Sequence, residues 1–99
     1  MKKIVLLCAA GMSTSMLVKK MQEAAVEMKV QVDIAAYAVS EAKEVTKDAD
    51  LVLLGPQVRY QLNKIKEEVS CLVEAIDMSA YGMMDGEAVM KRAVELMGE

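Results

Sequence analysis

No stretch constrains this chain more than Lys3-Ile4-Val5-Leu6-Leu7-Cys8 and the small, polar segment after it, Ala9-Ala10-Gly11-Met12-Ser13-Thr14-Ser15. Ile4 to Leu7 is an unbroken aliphatic run, the pattern of a central parallel strand buried on both faces. Helices must then cover both sides of the sheet, so this run already points to an α/β domain. Cys8 falls at the carboxyl end of the strand. Gly11 allows a tight turn or a positive φ, and the hydroxyls of Ser13, Thr14 and Ser15 suit the first turn of a helix. A strand, a small-residue loop and a helix N-terminus aim several unpaired N–H groups, and the positive end of a helix dipole, at one point. That point is an anion site with a sulfur in it.

A field of this kind favours thiolate over thiol, which makes Cys8 a candidate nucleophile. The competing reading is a small buried hydrophobe, since unpaired cysteines are among the most buried residue types. The loop chemistry after Cys8 favours the nucleophile.

The rest of the chain supplies a scaffold. Leu17, Met21, Ala24, Ala25 and Met28 recur at helical spacing opposite Lys19, Lys20, Gln22, Glu23 and Glu27, predicting an amphipathic helix over Ser13 to Met28. Val30, Val32, Ile34 and Ala36 alternate as a second, less buried strand, and a short helix is expected from Ser40 to about Thr46. Asp50-Leu51-Val52-Leu53-Leu54 repeats the doubly buried pattern and stops at Gly55-Pro56. Val58, Leu62, Ile65 and Val69 mark the inner stripe of a third helix, and Cys71 to Ile76 reads as a fourth strand with Cys71 as packing. Asp77 to Gly86 reads as a loop, followed by a helix capped by Asp85 with Val89, Met90, Ala93, Val94 and Met97 inward. Alternating strands and helices imply βαβ units, right-handed crossovers and a parallel sheet. Ligands of such sheets bind beyond the carboxyl ends of the strands, so Cys8, the Gly55-Pro56-Gln57 turn and the Asp77 to Gly86 loop should share one rim.

Composition narrows the chemistry. Ninety-nine residues are expected to form one domain, 1–99, able to bury a core without staples. A net charge of −3 and an aromatic complement of three tyrosines argue against a nucleic-acid partner, which needs a basic face and stacking platforms. No apolar run approaches the roughly 20 residues that span a bilayer. Met1-Lys2-Lys3 and the apolar residues after it resemble a secretory signal superficially, but the apolar core is shorter than the roughly 7–15 residues such a signal requires. Cys8 and Cys71 form no C-x-x-C pair, and a reducing cytoplasm fits them best. The chain holds no histidine, which removes Ser-His and Cys-His dyads and most zinc sites, so any imidazole must come from a partner.

Cys8-Ala9-Ala10-Gly11-Met12-Ser13-Thr14-Ser15 after its strand, together with Leu54-Gly55-Pro56-Gln57-Val58-Arg59-Tyr60, resembles the enzyme IIB component of the bacterial sugar phosphotransferase system in its lactose/cellobiose (N,N′-diacetylchitobiose) branch. The resemblance covers essentially the whole chain. It implies a three-layer sandwich with a four-stranded parallel sheet in the order 2-1-3-4 and helices on both faces. It further implies that Cys8 accepts a phosphoryl group from a histidine on enzyme IIA and passes it to a sugar held by the membrane permease, enzyme IIC. Ala9, Ala10, Gly11, Met12, Ser13, Thr14 and Ser15 would then form the loop around the phosphate, with no metal or other cofactor. The absent histidine fits a donor imidazole on another chain.

The loop also resembles that of low-molecular-weight tyrosine phosphatases, whose pattern is a cysteine, five residues, then an arginine. Here Thr14 holds the arginine position. A guanidinium clamps equatorial phosphoryl oxygens in a phosphatase; without it, backbone N–H groups and the hydroxyls of Ser13, Thr14 and Ser15 carry the load. A weaker clamp suits a carrier whose phosphocysteine must persist. Partner docking is expected at an apolar rim formed by Met12, Val58, Tyr60, Tyr81 and Met83, while Gln57 and Arg59 can contact phosphate or a partner. Two other readings compete: a low-molecular-weight phosphatase or arsenate-reductase-like enzyme, and a non-catalytic module in which Cys8 is only buried.

Overall fold

The computed structural model describes residues 1–9 and 14–98. Strands β1 (Lys2–Cys8), β2 (Val32–Ala38), β3 (Leu51–Leu54) and β4 (Leu72–Ala75) pair in parallel in the order β2-β1-β3-β4. Between and after them come helices α1 (Thr14–Met28), α2 (Ala42–Val45), α3 (Leu62–Glu68), α4 (Met78–Gly82) and α5 (Gly86–Met97). Short 3-10 runs at Val39–Glu41 and Pro56–Gln61 lead into α2 and α3. The expected sheet, its order and its helical cover are all present.

Strand pleating divides the core. Ile4 and Leu6 of β1 and Leu51 and Leu53 of β3 pack with Leu17, Met21, Ala24 and Ala25 of α1 and Val89, Met90 and Ala93 of α5. Val5, Leu7, Val52 and Leu54 point to the other face and meet Ala42, Val58 and Ile65. The two central strands are thus buried on both sides, with Ile4 to Leu7 at 0 % exposure, as their unbroken aliphatic runs require. Burying each such side chain is worth about 1.5–3 kcal/mol. The register puts Leu7 opposite both Tyr37 and Leu54, and Cys8 opposite Ala38.

The third helix is shorter than its expected stripe, with Val58 in the 3-10 run before it and Val69 extended after it, and two further elements differ from the sequence expectation. β2 begins at Val32 because α1 closes with a Schellman arrangement: Lys29 N–H donates to the Val26 carbonyl at 3.2 Å and Val30 N–H to that of Ala25 at 3.0 Å. Val30 is spent on the helix end and cannot open the strand. The stretch expected as a loop from Asp77 to Gly86 contains α4, because the Asp77 carboxylate accepts from Ala80 N–H at 3.1 Å and from Ser79 Oγ at 2.7 Å and so caps a new turn.

Gly86 opens α5 against α1 at a distance only glycine permits. A Cβ there would lie 2.4 Å from the Lys20 carbonyl carbon. The contact fixes the α4–α5 segment beside the amino-terminal half of α1, and hence beside the end of β1.

Candidate active site

Strand order reverses between β1, whose next strand lies to one side, and β3, which lies to the other. The crevice of an open α/β sheet forms at this switch point, and Cys8 stands on it. Its thiol is 2 % exposed, and Sγ lies 3.2 Å from Thr14 Oγ1 at the start of α1. Thr14 is itself fully buried. The hydroxyl six residues after the cysteine therefore points at the sulfur, where it donates to a thiolate or accepts from a thiol.

Ala9 and Ser15 are exposed on either side of this pair. The expectations for Ala10, Gly11, Met12 and Ser13 lie outside the described residues.

β3 closes the other side of the crevice. Gly55 N–H donates to the Leu7 carbonyl at 2.8 Å, and Ile76 N–H to the Leu54 carbonyl at 2.8 Å, so the ladder runs one step past the strand ends across all three loops. A methyl on Gly55 would sit 3.5 Å from Cys8 Cβ and 3.2 Å from Gln57 Oε1. Beyond Gln57 lies a shallow apolar hollow of about 430 Å³ lined by Pro56, Gln57, Met78, Tyr81 and Gly82. The three expected loops do share one rim.

The rim's composition differs from the expectation. Tyr60 and Met83 are exposed, at 82 % and 75 %. Val58 is buried at 2 %, because the 3-10 run Pro56–Gln61 turns it inward to pack with Leu7, Leu54 and Ile65, whereas α3 itself starts only at Leu62. Tyr81 is also a core residue, lining the hollow with 6 % of its surface exposed, because the α4 turn swings it inward toward the core shared by α1 and α5. Neither serves as a freely exposed docking residue. Met16 on the first turn of α1 and Met78 at the start of α4 are exposed instead, and sequence reasoning passed over both. The available signal was position: Met16 falls just off the Leu17-Met21-Ala24 stripe, and an apolar residue off the stripe of an amphipathic helix faces solvent.

The second cysteine sits elsewhere. Cys71 precedes β4 at the opposite end of the sheet, half-buried against the second core cluster, and burial pushes its thiol up from the usual range. It is packing, as its sequence context suggests. On the rim, the Ser79 hydroxyl and the Ala80 N–H hold the Asp77 carboxyl below its usual range. Among the described residues there is no group of three or more His, Cys, Asp or Glu side chains able to hold a metal ion, and no helix is long and apolar enough to cross a membrane.

Fold and site together define a parallel α/β domain built around a strand-end cysteine. The same architecture occurs in a YwlE mutant from Bacillus subtilis, a low-molecular-weight-phosphatase-like fold, at a TM-score of 0.60 and 15 % identity over 100 % of both chains. Residues 3–92 match the family described as PTS system, Lactose/Cellobiose specific IIB subunit, and the chain belongs to that family. It is 45 % identical over 100 residues to the oligo-beta-mannoside-specific EIIB component of Bacillus subtilis (strain 168), covering 98 % of this chain and 97 % of that one. It is 39 % identical to the galactose-specific EIIB component of Lactococcus lactis subsp. cremoris, over 97 % and 96 % of the two chains. Among solved structures, the cellobiose-specific IIB component of Borrelia burgdorferi superposes at a TM-score of 0.80 with 35 % identity, over 98 % and 92 % of the chains. The lactose-specific IIB domain of Streptococcus pneumoniae does so at 0.84 with 22 % identity, over 96 % of each. The chain is a phosphotransfer component of a sugar phosphotransferase system.

Proposed function

We propose that Cys8 carries the phosphoryl group, accepting it from a phosphohistidine on enzyme IIA and delivering it to a sugar at the membrane permease, enzyme IIC. The observation that carries this reading is the Cys8–Thr14 pair at the switch point, a thiol 3.2 Å from a hydroxyl where a hydrolase of this fold would place a guanidinium. In the first step Sγ attacks phosphorus in line, the S–P bond forms as the N–P bond breaks, and the proton given up by the thiol ends on the departing imidazole. In the second, a sugar hydroxyl attacks, an O–P bond replaces the S–P bond, and the hydroxyl proton returns to the sulfur. The loose transition state is stabilised by loop N–H dipoles and hydroxyls, each such donor being worth about 3 kcal/mol, or about a hundredfold in rate. No carboxylate or guanidinium is needed for either transfer.

Cys8 is buried, so the donor has to seat closely on the rim for its phosphoryl group to reach the sulfur. Exposed Met16, Tyr60, Met78 and Met83 offer the apolar contacts for such docking. The protein acts on the cytoplasmic side and reaches the membrane through the permease.

Incubation with phosphoenolpyruvate, the general carrier proteins and enzyme IIA is expected to add one phosphate to Cys8, detected by mass and absent from Cys8→Ser. An unmodified wild-type chain would overturn the proposal. The fold shared with the phosphatase-like neighbour favours a hydrolase as the second reading. Sustained turnover of p-nitrophenyl phosphate, abolished by Cys8→Ser, would establish it; no turnover is expected, because Thr14 replaces the arginine.

A further inference from the structure

We infer that Gln57 is a catalytic residue of the phosphoryl transfer, its carboxamide donating a hydrogen bond from Nε2 to an equatorial oxygen of the phosphoryl group in transit at Cys8. The inference rests on the reading of Cys8 as the phosphoryl acceptor and assigns the transfer a contact from outside the cysteine loop.

The geometry begins at Gly55. Its N–H is tied to the Leu7 carbonyl, which holds the end of β3 against the end of β1. A Cβ built on Gly55 would lie 3.2 Å from Gln57 Oε1 and 3.5 Å from Cys8 Cβ. The carboxamide oxygen and the cysteine thus border the same methyl-sized space, which the bare glycine leaves unfilled. Pro56 follows at the first position of the 3-10 turn, and Gly55 stays extended at φ −60° and ψ 149°, so the direction in which Gln57 leaves the strand is fixed. Half a turn about the last side-chain bond puts Nε2 where Oε1 stands.

Among the described residues nothing hydrogen-bonds to the Gln57 carboxamide, and on its far side lies the apolar hollow of Pro56, Met78, Tyr81 and Gly82. Arg59, two residues on, lines a different groove with Leu62, Glu74, Asp77 and Met78 along the edge of β4.

The chemistry suits an amide. A phosphoryl group in transfer spreads negative charge over three equatorial oxygens, and a preorganised donor beside them lowers the barrier. A carboxamide donates without supplying a proton and is too weak a base to activate water. It stabilises both transfers while leaving phosphocysteine intact between them, which a carboxylate in its place would not do.

The test measures the rate at which the full chain takes phosphate from phosphorylated enzyme IIA, at varied concentrations of that donor, for wild type, Gln57→Ala, Gln57→Asn and Gln57→Glu. The exposed side chain can be changed without loss of the fold, which melting curves check. At saturating donor, Gln57→Ala and Gln57→Asn are expected to transfer about tenfold to a hundredfold more slowly with an unchanged half-saturating concentration. Gln57→Glu is expected to be slower still, with part of the deficit recovered as the pH falls and the introduced carboxyl is protonated. A wild-type rate at saturating donor in Gln57→Ala, or a loss confined to the half-saturating concentration, would overturn the assignment; the latter makes Gln57 a docking contact. A wild-type chain that takes no phosphate would instead overturn the phosphocarrier reading, and this role with it.

Discussion

The Thr14 hydroxyl is fully buried and 3.2 Å from the Cys8 sulfur, the contact on which the proposed transfer rests. In the proposed mechanism this hydroxyl, donating to a thiolate, stabilises the nucleophile in the first transfer and the leaving group in the second. Thr14→Val keeps the shape and removes the donor: transfer from the phosphodonor should fall about tenfold to a hundredfold, while stability drops by only about 1 kcal/mol. Thr14→Ser should retain most of the rate. Rapid-quench measurement of Cys8 phosphorylation alongside urea melts checks both. Cys8, Thr14 and Gln57 could be picked out from sequence because their chemistry is local, a thiol after an aliphatic run and polar groups at fixed offsets in turns. Gly55 was legible only as a turn residue. That its bare Cα faces the cysteine depends on the pairing of β1 with β3, strands separated by more than forty residues. Val58 and Tyr81 are buried where the sequence suggests exposed rim residues, because which side of a short turn faces inward is decided by packing partners from elsewhere in the chain.

Helix ends explain the other departures from the sequence reading. α1, α4 and α5 each finish with a residue in the left-handed region: Lys29 at φ 59°, Met84 at φ 52° and Gly98 at φ 73°. Only the last is a glycine, so only that end carried the usual sequence signal. Lysine and methionine bear the Cβ penalty at the same position. Replacing Lys29 by glycine should stabilise the protein by about 0.5–1 kcal/mol, measured as a rise in the urea midpoint, since the relieved strain exceeds the added freedom of the unfolded chain. The opposite change at the start of α5 should be costly. Gly86→Ala drives a methyl into the Lys20 carbonyl carbon 2.4 Å away, and backbone cannot yield as a flexible side chain can. A loss of about 3 kcal/mol is expected. α4 itself was unreadable because a five-residue helix has too little periodicity to register, and Asp77, its cap, is equally at home in a loop.

At the scale of the molecule, the sheet order was accessible through family resemblance, whereas the residues alone supported only a parallel α/β sheet. Its stability should depend on acid. Arg92 holds Glu74 with two hydrogen bonds of 2.8 and 2.9 Å, and the Glu74 carboxyl lies below its usual range chiefly through that contact. The hydrogen bond from Ser79 does the same for Asp77. A carboxylate depressed in the folded state stabilises it above the ordinary carboxylate range and loses that contribution as the pH falls through the folded value. The urea midpoint should therefore drop between about pH 5 and pH 3, near and below the ordinary values for Asp and Glu, and Glu74→Gln should flatten part of that drop. A midpoint with equal slope in the variant would contradict the assignment. The proposed function requires of the sulfur at the switch point that it keep the phosphoryl group it receives, and the lifetime of phosphorylated Cys8 tests this most directly. Isolated from its donor, the phosphorylated chain should retain its phosphate over the time in which permease and sugar discharge it; decay at the same rate with and without those acceptors would make this protein a hydrolase and contradict the account.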